Sequence, residues 1–239
     1  MKRSPFLFAA ILSIYLTPVQ SSNSDIQEFN DYISTSISKA NIAGMGIAIV
    51  SGDSILFTQG YGYSDIETKE PFTPHTVMNI ASISKTFVGV ALMHLVEKGL
   101  IDLDDDVNTF LPFKVLNPHL PESIITPRHL MSHSSGIKDY QKVYLPSYHY
   151  GGDSPTPLGE FLADYLSPDG THYSKKNFTK SKPGKKFVYS NIGAGLAGYI
   201  VERVSGKPLN VFTKEIIFKP LGMNNTCWFL SEMDRAKHS

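Results

Sequence analysis

Several kinds of feature are scarce in this sequence. Cys227 is its single cysteine, so an internal disulfide is excluded. Neither sign of charge is in excess, because 22 lysines and arginines balance 22 aspartates and glutamates. Without a basic field we expect no nucleic-acid partner. The eight histidines form neither a His-Glu-x-x-His sequence nor any other cluster of ligands, and we therefore expect no metal and no cofactor.

After the N-terminal region, no segment is long and apolar enough to cross a membrane. Near the N-terminus, Lys2 and Arg3 precede a mostly apolar stretch, 5–16, which gives way to polar residues at 21–23. This order is typical of a secretory signal peptide, and the apolar stretch is too short to span a bilayer. We therefore predict a signal peptide over residues 1–22 and a secreted or periplasmic protein. The alternative is an uncleaved anchor, the one case in which a membrane would be a partner.

The remaining chain, 23–239, has the composition of a globular domain, since 41% of the 239 residues are hydrophobic and 18% are charged. Its periodicity predicts no repeats. Residues 140–186 are rich in tyrosine, proline, glycine, serine and lysine, which predicts a variable, partly exposed insertion. Hydrophobic spacing and breaker residues predict helices over 25–40, 193–204 and 209–217, and a hairpin with strands at 44–50 and 54–61.

The stretch 80–87 carries the strongest chemical signal, a serine followed three residues later by a lysine. If it forms the first turn of a helix, Ser82 and Lys85 share one face about a turn apart. The run 87–96 is apolar on nearly every face, which predicts a helix buried all round that ends at Gly99. A hydroxyl beside an amine on such a helix is a candidate nucleophile with its base.

Several polar residues have a structural interpretation as well as a functional one. Ser82 could be an N-cap alone. Four aspartates within 102–106 could suggest a calcium loop, but EF-hand spacing is missing and a solvated turn is favoured. His133 stands among serines and could form a serine–histidine pair, although a structural histidine near the end of a short helix beginning at Thr126-Pro127 is favoured. Asn177 and Asn224 match the N-glycosylation pattern.

Tyr189 and Asn191 lie in a predicted loop just before a glycine-rich helix. From that loop, a phenol and a carboxamide could both point into a cleft. Tyr189 could instead be a packed aromatic residue. It follows Ser82 by 107 residues, and sequence distance cannot show whether the fold brings the two together.

Five segments in this order resemble the serine β-lactamase-related family, which includes class C β-lactamases, D-alanyl-D-alanine carboxypeptidases and esterases. The resemblance covers about residues 26–230, and the Tyr-x-Asn sequence is similar to the class C and carboxypeptidase branch. The segments are Gly60-Tyr-Gly-Tyr-Ser-Asp-Ile-Glu-Thr, Ser82-Ile-Ser-Lys85-Thr-Phe, Ile125-Thr-Pro-Arg-His-Leu-Met-Ser-His-Ser-Ser-Gly136, Pro183-Gly-Lys-Lys-Phe-Val-Tyr189-Ser-Asn191 and Pro220-Leu-Gly-Met-Asn-Asn-Thr226.

The resemblance implies an α+β fold, in which an antiparallel sheet is sandwiched with helices and joined by a helical domain. It also implies catalytic roles. Ser82 would be the acylated nucleophile, and Lys85 the amine that helps take its proton. Tyr189 would be the base or proton shuttle, and Asn191 would orient Lys85 and bind the substrate amide.

One expected part of the family pattern is missing. After Tyr189 we find no Lys-Thr-Gly or His-x-Gly triplet of the kind that the family places on a late strand, where it completes the oxyanion site. The resemblance therefore implies that this chain corresponds to the N-terminal two-thirds of such an enzyme, without the C-terminal strands of its sheet. Loss of one oxyanion donor costs about 10²–10³ in rate, so we expect weak or no turnover from these residues alone.

The sequence thus predicts a secreted serine hydrolase that cleaves an amide or ester through an acyl-enzyme on Ser82. The substrate would be a small molecule or peptide, such as a β-lactam, a D-Ala-type peptide or an ester, and the sequence does not choose among them or fix the oligomeric state. The alternative is a binding or scaffold protein that keeps the fold without its chemistry.

Overall fold

The structure, a computed structural model, describes residues 23–233. The predicted signal peptide over residues 1–22 lies outside this range. The described residues divide into two compact units, one that ends at Thr76 and one that begins at Val77. It contains both helices and strands: α1 (Asn23–Lys39), β1 (Gly44–Ser51), β2 (Ser54–Asp65), β3 (Glu70–Pro71), α2 (Ser84–Glu97), α3 (Pro127–Met131), α4 (Gln141–Tyr144), α5 (Leu158–Leu166), α6 (Asn191–Ser205) and α7 (Leu209–Thr213).

The first unit consists of α1 and an antiparallel sheet in the order β1-β2-β3. The predicted helix and hairpin are confirmed, and β2 extends beyond its predicted end to Asp65. The hairpin closes with Ser51 opposite Ser54. Between them Gly52 has a φ of +55°, a conformation that glycine adopts without steric cost.

Two side-chain contacts join α1 to β2 within this unit. The Tyr61 hydroxyl donates a hydrogen bond to Oδ1 of Asn30 at 2.5 Å. The Phe29 and Phe57 rings meet edge to face with their centroids 5.6 Å apart. Such aromatic pairs stabilise packing by about 0.5–1.5 kcal/mol beyond the area they bury.

The second unit contains the hydrophobic core. Helices α2 and α6 pack together at its centre, and α5 packs against α6. Burial of each large aliphatic side chain contributes about 1.5–3 kcal/mol, so this core holds its helices firmly. Its buried residues include Val88, Ala91, Leu92 and Leu95 of α2, Leu162, Tyr165 and Leu166 of α5, and Ile192, Leu196, Ala197, Ile200 and Val201 of α6.

The expectation that α2 is buried all round is wrong. Val90 is 52% exposed and Met93 is 49% exposed. The buried positions recur at intervals of three and four residues, which places them on a single face of the helix. An apolar composition therefore does not imply burial on every side, because the contacts of α2 within the helical unit cover one face.

The glycine predicted at the end of α2 lies where expected, and a second glycine ends α6. Gly99 follows α2 with a φ of +70°, and Gly206 follows α6 with a φ of +69°. At its other end, α6 is capped by Ser190, whose hydroxyl accepts a hydrogen bond from the backbone N–H of Gly193 at 2.9 Å. The predicted helix 209–217 divides into α7 and a π-helical turn, Lys214–Phe218.

The acidic stretch 102–106 forms a turn. Asp106 caps a short 3₁₀ turn by accepting from the backbone N–H of Asn108 at 2.9 Å, and Asp104 pairs with Arg128 at 2.8 Å. Nowhere in residues 23–233 do three or more histidine, cysteine or acidic side chains cluster as a metal site would require. The helices of this same range are all too short or too polar to cross a bilayer.

Residues 140–186, predicted as a partly exposed insertion, supply part of the core. The buried hydroxyl of Tyr165 donates to the carbonyl of Lys138 and accepts from the N–H of Tyr140, both at 2.7 Å. Asn177 is fully buried, and its amide donates to the carbonyl oxygens of Tyr165 and His172. In the folded chain Asn177 is therefore inaccessible to a glycosylating enzyme, although its sequence fits the pattern.

Candidate active site

Ser82 lies in a 3₁₀ turn, Ala81–Ile83, that leads directly into α2. The predicted helical start is thus confirmed with one difference, since the α-helix proper begins at Ser84. Ala81 has a φ of +47°, an uncommon conformation for a residue with a side chain, and such strain recurs at functional sites. The N-cap residues are Ile80 for this turn and Ile83 for α2, so the N-cap interpretation of Ser82 is wrong, and its hydroxyl is exposed.

The Ser82 hydroxyl has two partners. The ammonium of Lys85 donates to its Oγ at 3.1 Å, as the spacing of three residues predicts. The hydroxyl of Tyr189 reaches the same oxygen at 2.8 Å. Lys85 also lies over the Tyr189 ring, with Nζ 5.0 Å from the centroid. The fold therefore brings together three of the residues that the sequence singled out.

The charge of Lys85 affects the phenol of Tyr189. Hydrogen bonding to Lys85, and secondarily to Ser82, stabilises the phenolate and holds the pKa of Tyr189 below its usual value of 10.0. Tyr189 is 44% exposed, so the effect depends on these close partners and not on burial. A phenol with a lowered pKa, 2.8 Å from a serine hydroxyl, is suited to accept the serine proton.

Asn191 begins α6, two residues after Tyr189, and its position differs from the expected role. We expected its carboxamide to orient Lys85. Instead, Nδ2 of Asn191 donates to Oδ2 of Asp139 at 2.8 Å. Within residues 23–233, no hydrogen bond links Asn191 to Lys85. Asn191 and Lys85 do line one and the same cavity beside the site.

Asp139 is a site residue that sequence reasoning missed. Its carboxylate accepts four hydrogen bonds from the start of α6: one from the hydroxyl of Ser190, two from the backbone and side chain of Asn191, and one from the N–H of Ile192, at 2.8–3.1 Å. A carboxylate at a helix N-terminus also interacts favourably with the helix dipole. Asp139 therefore fixes the loop that carries Tyr189. The only signal in the sequence was an aspartate shortly after Gly136.

His133 is structural, as predicted, but it contacts the site. Its Nδ1 accepts from the backbone N–H of Ser190 at 3.3 Å, and its carbonyl accepts from the N–H of Val188 at 2.7 Å. Its ring lies 4.4 Å from the ring of Tyr189. Burial, followed by the positive charge of Lys85, lowers the pKa of His133 and favours the neutral imidazole. His133 thus contacts residues 188–190 of the loop that carries Tyr189, whereas Asp139 contacts residues 190–192.

The fold and the site together define an α+β protein with a Ser-x-x-Lys centre completed by a distant tyrosine. The chain belongs to the beta-lactamase family, whose sequence pattern matches residues 25–238. This result confirms the resemblance seen in the sequence. The fold class is also confirmed, since solved structures of this family share the α+β architecture.

The chain is similar to curated proteins and to solved structures. Protein flp of Staphylococcus aureus is 30% identical over 219 residues, which is 90% of this chain and 40% of flp. An octameric penicillin-binding protein homologue from Pyrococcus abyssi has a TM-score of 0.70 at 32% identity, covering 87% of this chain and 45% of its own.

A D-amino acid amidase from Ochrobactrum anthropi, solved with D-phenylalanine, has a TM-score of 0.66 at 27% identity, covering 85% of this chain and 51% of its own. The chain thus spans about 40% of the length of the first curated relatives it matches.

Proposed function

We propose that the protein is a serine hydrolase that cleaves an amide or ester bond through an acyl-enzyme on Ser82. One observation carries the proposal: the Ser82 hydroxyl contacts the ammonium of Lys85 at 3.1 Å and the phenol of Tyr189 at 2.8 Å. A serine is a poor nucleophile by itself, and activation by an adjacent base is the usual solution. Membership of the beta-lactamase family supports the same chemistry.

The proposed reaction begins with the ionised phenol of Tyr189, which Lys85 stabilises. Tyr189 takes the proton of Ser82 while Oγ attacks the substrate carbonyl carbon. As the tetrahedral intermediate collapses, the bond to the leaving amine or alcohol breaks, and Tyr189 returns the proton to that group. Tyr189, ionised again, then takes a proton from the water that attacks the ester carbonyl on Ser82, and passes this proton to Oγ of Ser82 as the bond to the acyl group breaks and the acid leaves. Asn191 contacts the substrate amide.

The substrate class is an amide or ester of a small molecule or peptide, with β-lactams, D-Ala-type peptides and simple esters as candidates. The similarity to an amidase that was solved with D-phenylalanine supports the amide. The similarity to a penicillin-binding protein homologue supports substrates related to β-lactams.

Covalent labelling tests this proposal without requiring full turnover. A fluorescent penicillin and a fluorophosphonate are each incubated with the protein, and the adduct is located by mass spectrometry of its peptides. We expect labelling on Ser82 and its complete loss in Ser82→Ala. Ser84→Ala is the matched control, because Ser84 lies two residues away and makes no hydrogen bond to Lys85 or Tyr189 within the described residues.

The same experiment separates hydrolase from binding protein. If the protein is folded by circular dichroism and neither reagent modifies Ser82, the hydrolase proposal fails and a non-catalytic binding or scaffold role is supported. If the label resides on another serine, the assignment of Ser82 as nucleophile fails.

We further propose that the protein acts outside the cytoplasm, as the N-terminal charge and apolar pattern suggests. Expression of the full chain followed by N-terminal sequencing of the exported form tests this. A mature N-terminus close to residue 23 is expected. Retention of the intact chain in the cytoplasm would contradict export, and an intact chain in the membrane fraction would indicate an anchor.

A further inference from the structure

A cavity of about 1010 Å³ adjoins the proposed catalytic centre. Lys85 and Asn191 form part of its wall, so it is continuous with the residues around the nucleophile. Sites for small molecules usually have volumes of about 300–1000 Å³. The cavity therefore has room for far more than the reacting carbonyl group.

The wall of the cavity is mainly apolar. Its polar groups include Glu202, whose carboxylate already accepts a hydrogen bond from the N–H of Leu209 at 2.8 Å. Lys142 and His149 are exposed to solvent. The apolar lining comes from four separate parts of the chain and includes Val88, Leu158, Phe161, Leu162, Leu209 and Trp228.

Glycine at position 195 of α6 helps to keep the cavity open. A Cβ atom added there would lie 3.5 Å from Cδ1 of Leu158, which is an ordinary contact. Neither close packing nor backbone conformation therefore requires glycine, and in a helix interior glycine costs about 1 kcal/mol relative to alanine. At Gly198, by contrast, the added atom would come within 3.1 Å of Leu209. The lack of a side chain at Gly195 thus leaves space at the cavity wall, and a larger side chain at this position would fill that space.

We propose that this cavity binds an apolar acyl group of the substrate, and that the preferred substrates are esters or amides of medium-length or aromatic carboxylic acids. The inference rests on the proposed acyl-enzyme at Ser82. The acyl part is assigned to the cavity because it stays attached to Ser82 while the leaving group must depart. An apolar pocket continuous with Lys85 and Asn191 holds that part through both half-reactions.

A series of p-nitrophenyl alkylphosphonates tests the proposal, with the alkyl chain on phosphorus standing for the acyl group. Oγ of Ser82 forms a bond to phosphorus, and the bond from phosphorus to the p-nitrophenyl oxygen breaks. p-Nitrophenolate leaves with the electron pair, and the serine proton passes to Tyr189 and then to solvent. The leaving group is the same in every probe, so any difference in rate reports on the alkyl chain.

In the unmodified protein, we expect the second-order labelling rate to rise at least about tenfold from the ethyl to the octyl probe. Each methylene moved from water into an apolar pocket contributes up to about fourfold. This series tests the proposal without any variant. An equal rate for all chain lengths, or a rate that falls with length, would overturn it.

Two variants at one position locate the effect. Gly195→Leu fills the cavity next to Leu158 and should reduce the ratio of the octyl to the ethyl labelling rate to about threefold or less. Gly195→Ala adds a single methyl group and should keep the full chain-length dependence. If Gly195→Leu is folded and retains that dependence, or if it slows both probes equally, the cavity is not the acyl site.

Failure of this inference is distinguishable from failure of the proposed function. Labelling of Ser82 by the ethyl probe without any chain-length effect leaves the hydrolase proposal intact and overturns the acyl site. A second series, with an ethyl chain on phosphorus and leaving phenols of increasing alkyl length, tests the alternative occupant. If rates follow the leaving group instead, the cavity binds that group. If none of the probes labels Ser82, both the hydrolase proposal and the acyl-site proposal are overturned.

Discussion

The two units of the chain differ in how their apolar residues are used. In the described part of the first unit, Ile37 and Tyr61 are the buried hydrophobic residues, whereas Val50 and Ile55 of the hairpin are 65% and 69% exposed. The second unit buries a continuous cluster around α2 and α6. All of the candidate site, from Ser82 to Asn191, lies in this second unit.

The difference indicates which of the two units can hold reacting side chains in a fixed arrangement. Reacting groups must be held within about 0.5 Å of a productive arrangement, which requires supporting residues that are themselves packed. Leu92 and Ile192 are buried on the two helices that carry Lys85 and Asn191. The first unit, with few buried side chains of its own, lacks comparable support for such a constellation among its described residues.

The largest expected difference between the two units is in the labelling of Ser82 after one phenol hydroxyl is removed from each unit. Tyr189→Phe removes the contact with Ser82 and should slow labelling of Ser82 by about 10²–10⁴, the usual contribution of a general base. Tyr61→Phe removes the bond to Asn30 and should leave labelling unchanged while lowering the free energy of unfolding by about 1 kcal/mol. Labelling kinetics and urea denaturation measure the two effects. Equal labelling rates for both variants would contradict a role for Tyr189.

The next effect concerns stability. Leu92→Ala opens a cavity at a position with no exposure and should lower the free energy of unfolding by about 2–5 kcal/mol. Val50→Ala changes a side chain that is 65% exposed and should have an effect within about 0.5 kcal/mol. Urea denaturation of the two variants compares them directly. If the hairpin variant were the more destabilised of the two, the core would not be concentrated in the second unit.

A smaller effect on rate is expected from the carboxylate that holds the start of α6. Asp139→Asn removes the charge and replaces one carboxylate oxygen with an NH2 group, which cannot accept from the N–H donors of Asn191 or of Ile192. We expect labelling to slow by about 10–100-fold, since hydrogen bonds to charged groups contribute about 1.5–3 kcal/mol. The control is Asp65→Asn in the first unit. Asp65 accepts hydrogen bonds from two backbone N–H groups in a solvent-exposed turn, and its substitution should leave the labelling rate unchanged.

If Asp139 serves only stability, Asp139→Asn should unfold more easily while the folded fraction reacts at the normal rate. A normal rate in fully folded protein would therefore overturn its role in positioning. The comparison requires that labelling be measured well below the midpoint of thermal unfolding for both variants.

The smallest expected effect is the dependence of the Ser82 labelling rate on pH. Because Lys85 and Ser82 lower the pKa of Tyr189, its phenolate forms at a lower pH than that of a free tyrosine. The labelling rate should rise with pH and level off below pH 10, and the rise should be absent in Tyr189→Phe. The corresponding contribution to stability is present above the unfolded pKa of about 10 and is lost as pH falls through the lower folded value. A midpoint at or above 10 would contradict the stabilised phenolate.

Much of the fold could be predicted from periodicity and breaker residues. The helix α1, the hairpin and the ends of α2 and α6 follow from local patterns, since glycine and hydrophobic spacing act within a few residues. The error on α2 has the opposite origin. Val90 and Met93 are apolar but exposed, and burial depends on neighbours that are distant in sequence. The same applies to Asn177, which fits a surface modification pattern but is fully buried.

The sequence by itself determined that Ser82 and Lys85 meet, because residues three apart on a helical turn share a face whatever surrounds them. The motifs in the sequence also identified the family to which the chain belongs. Only the tertiary structure decided that Tyr189, 107 residues further on, completes the centre, and that Asp139 and His133 hold its loop. Those contacts arise from packing between distant segments, and no local preference in the chain encodes which distant side chain a residue will touch.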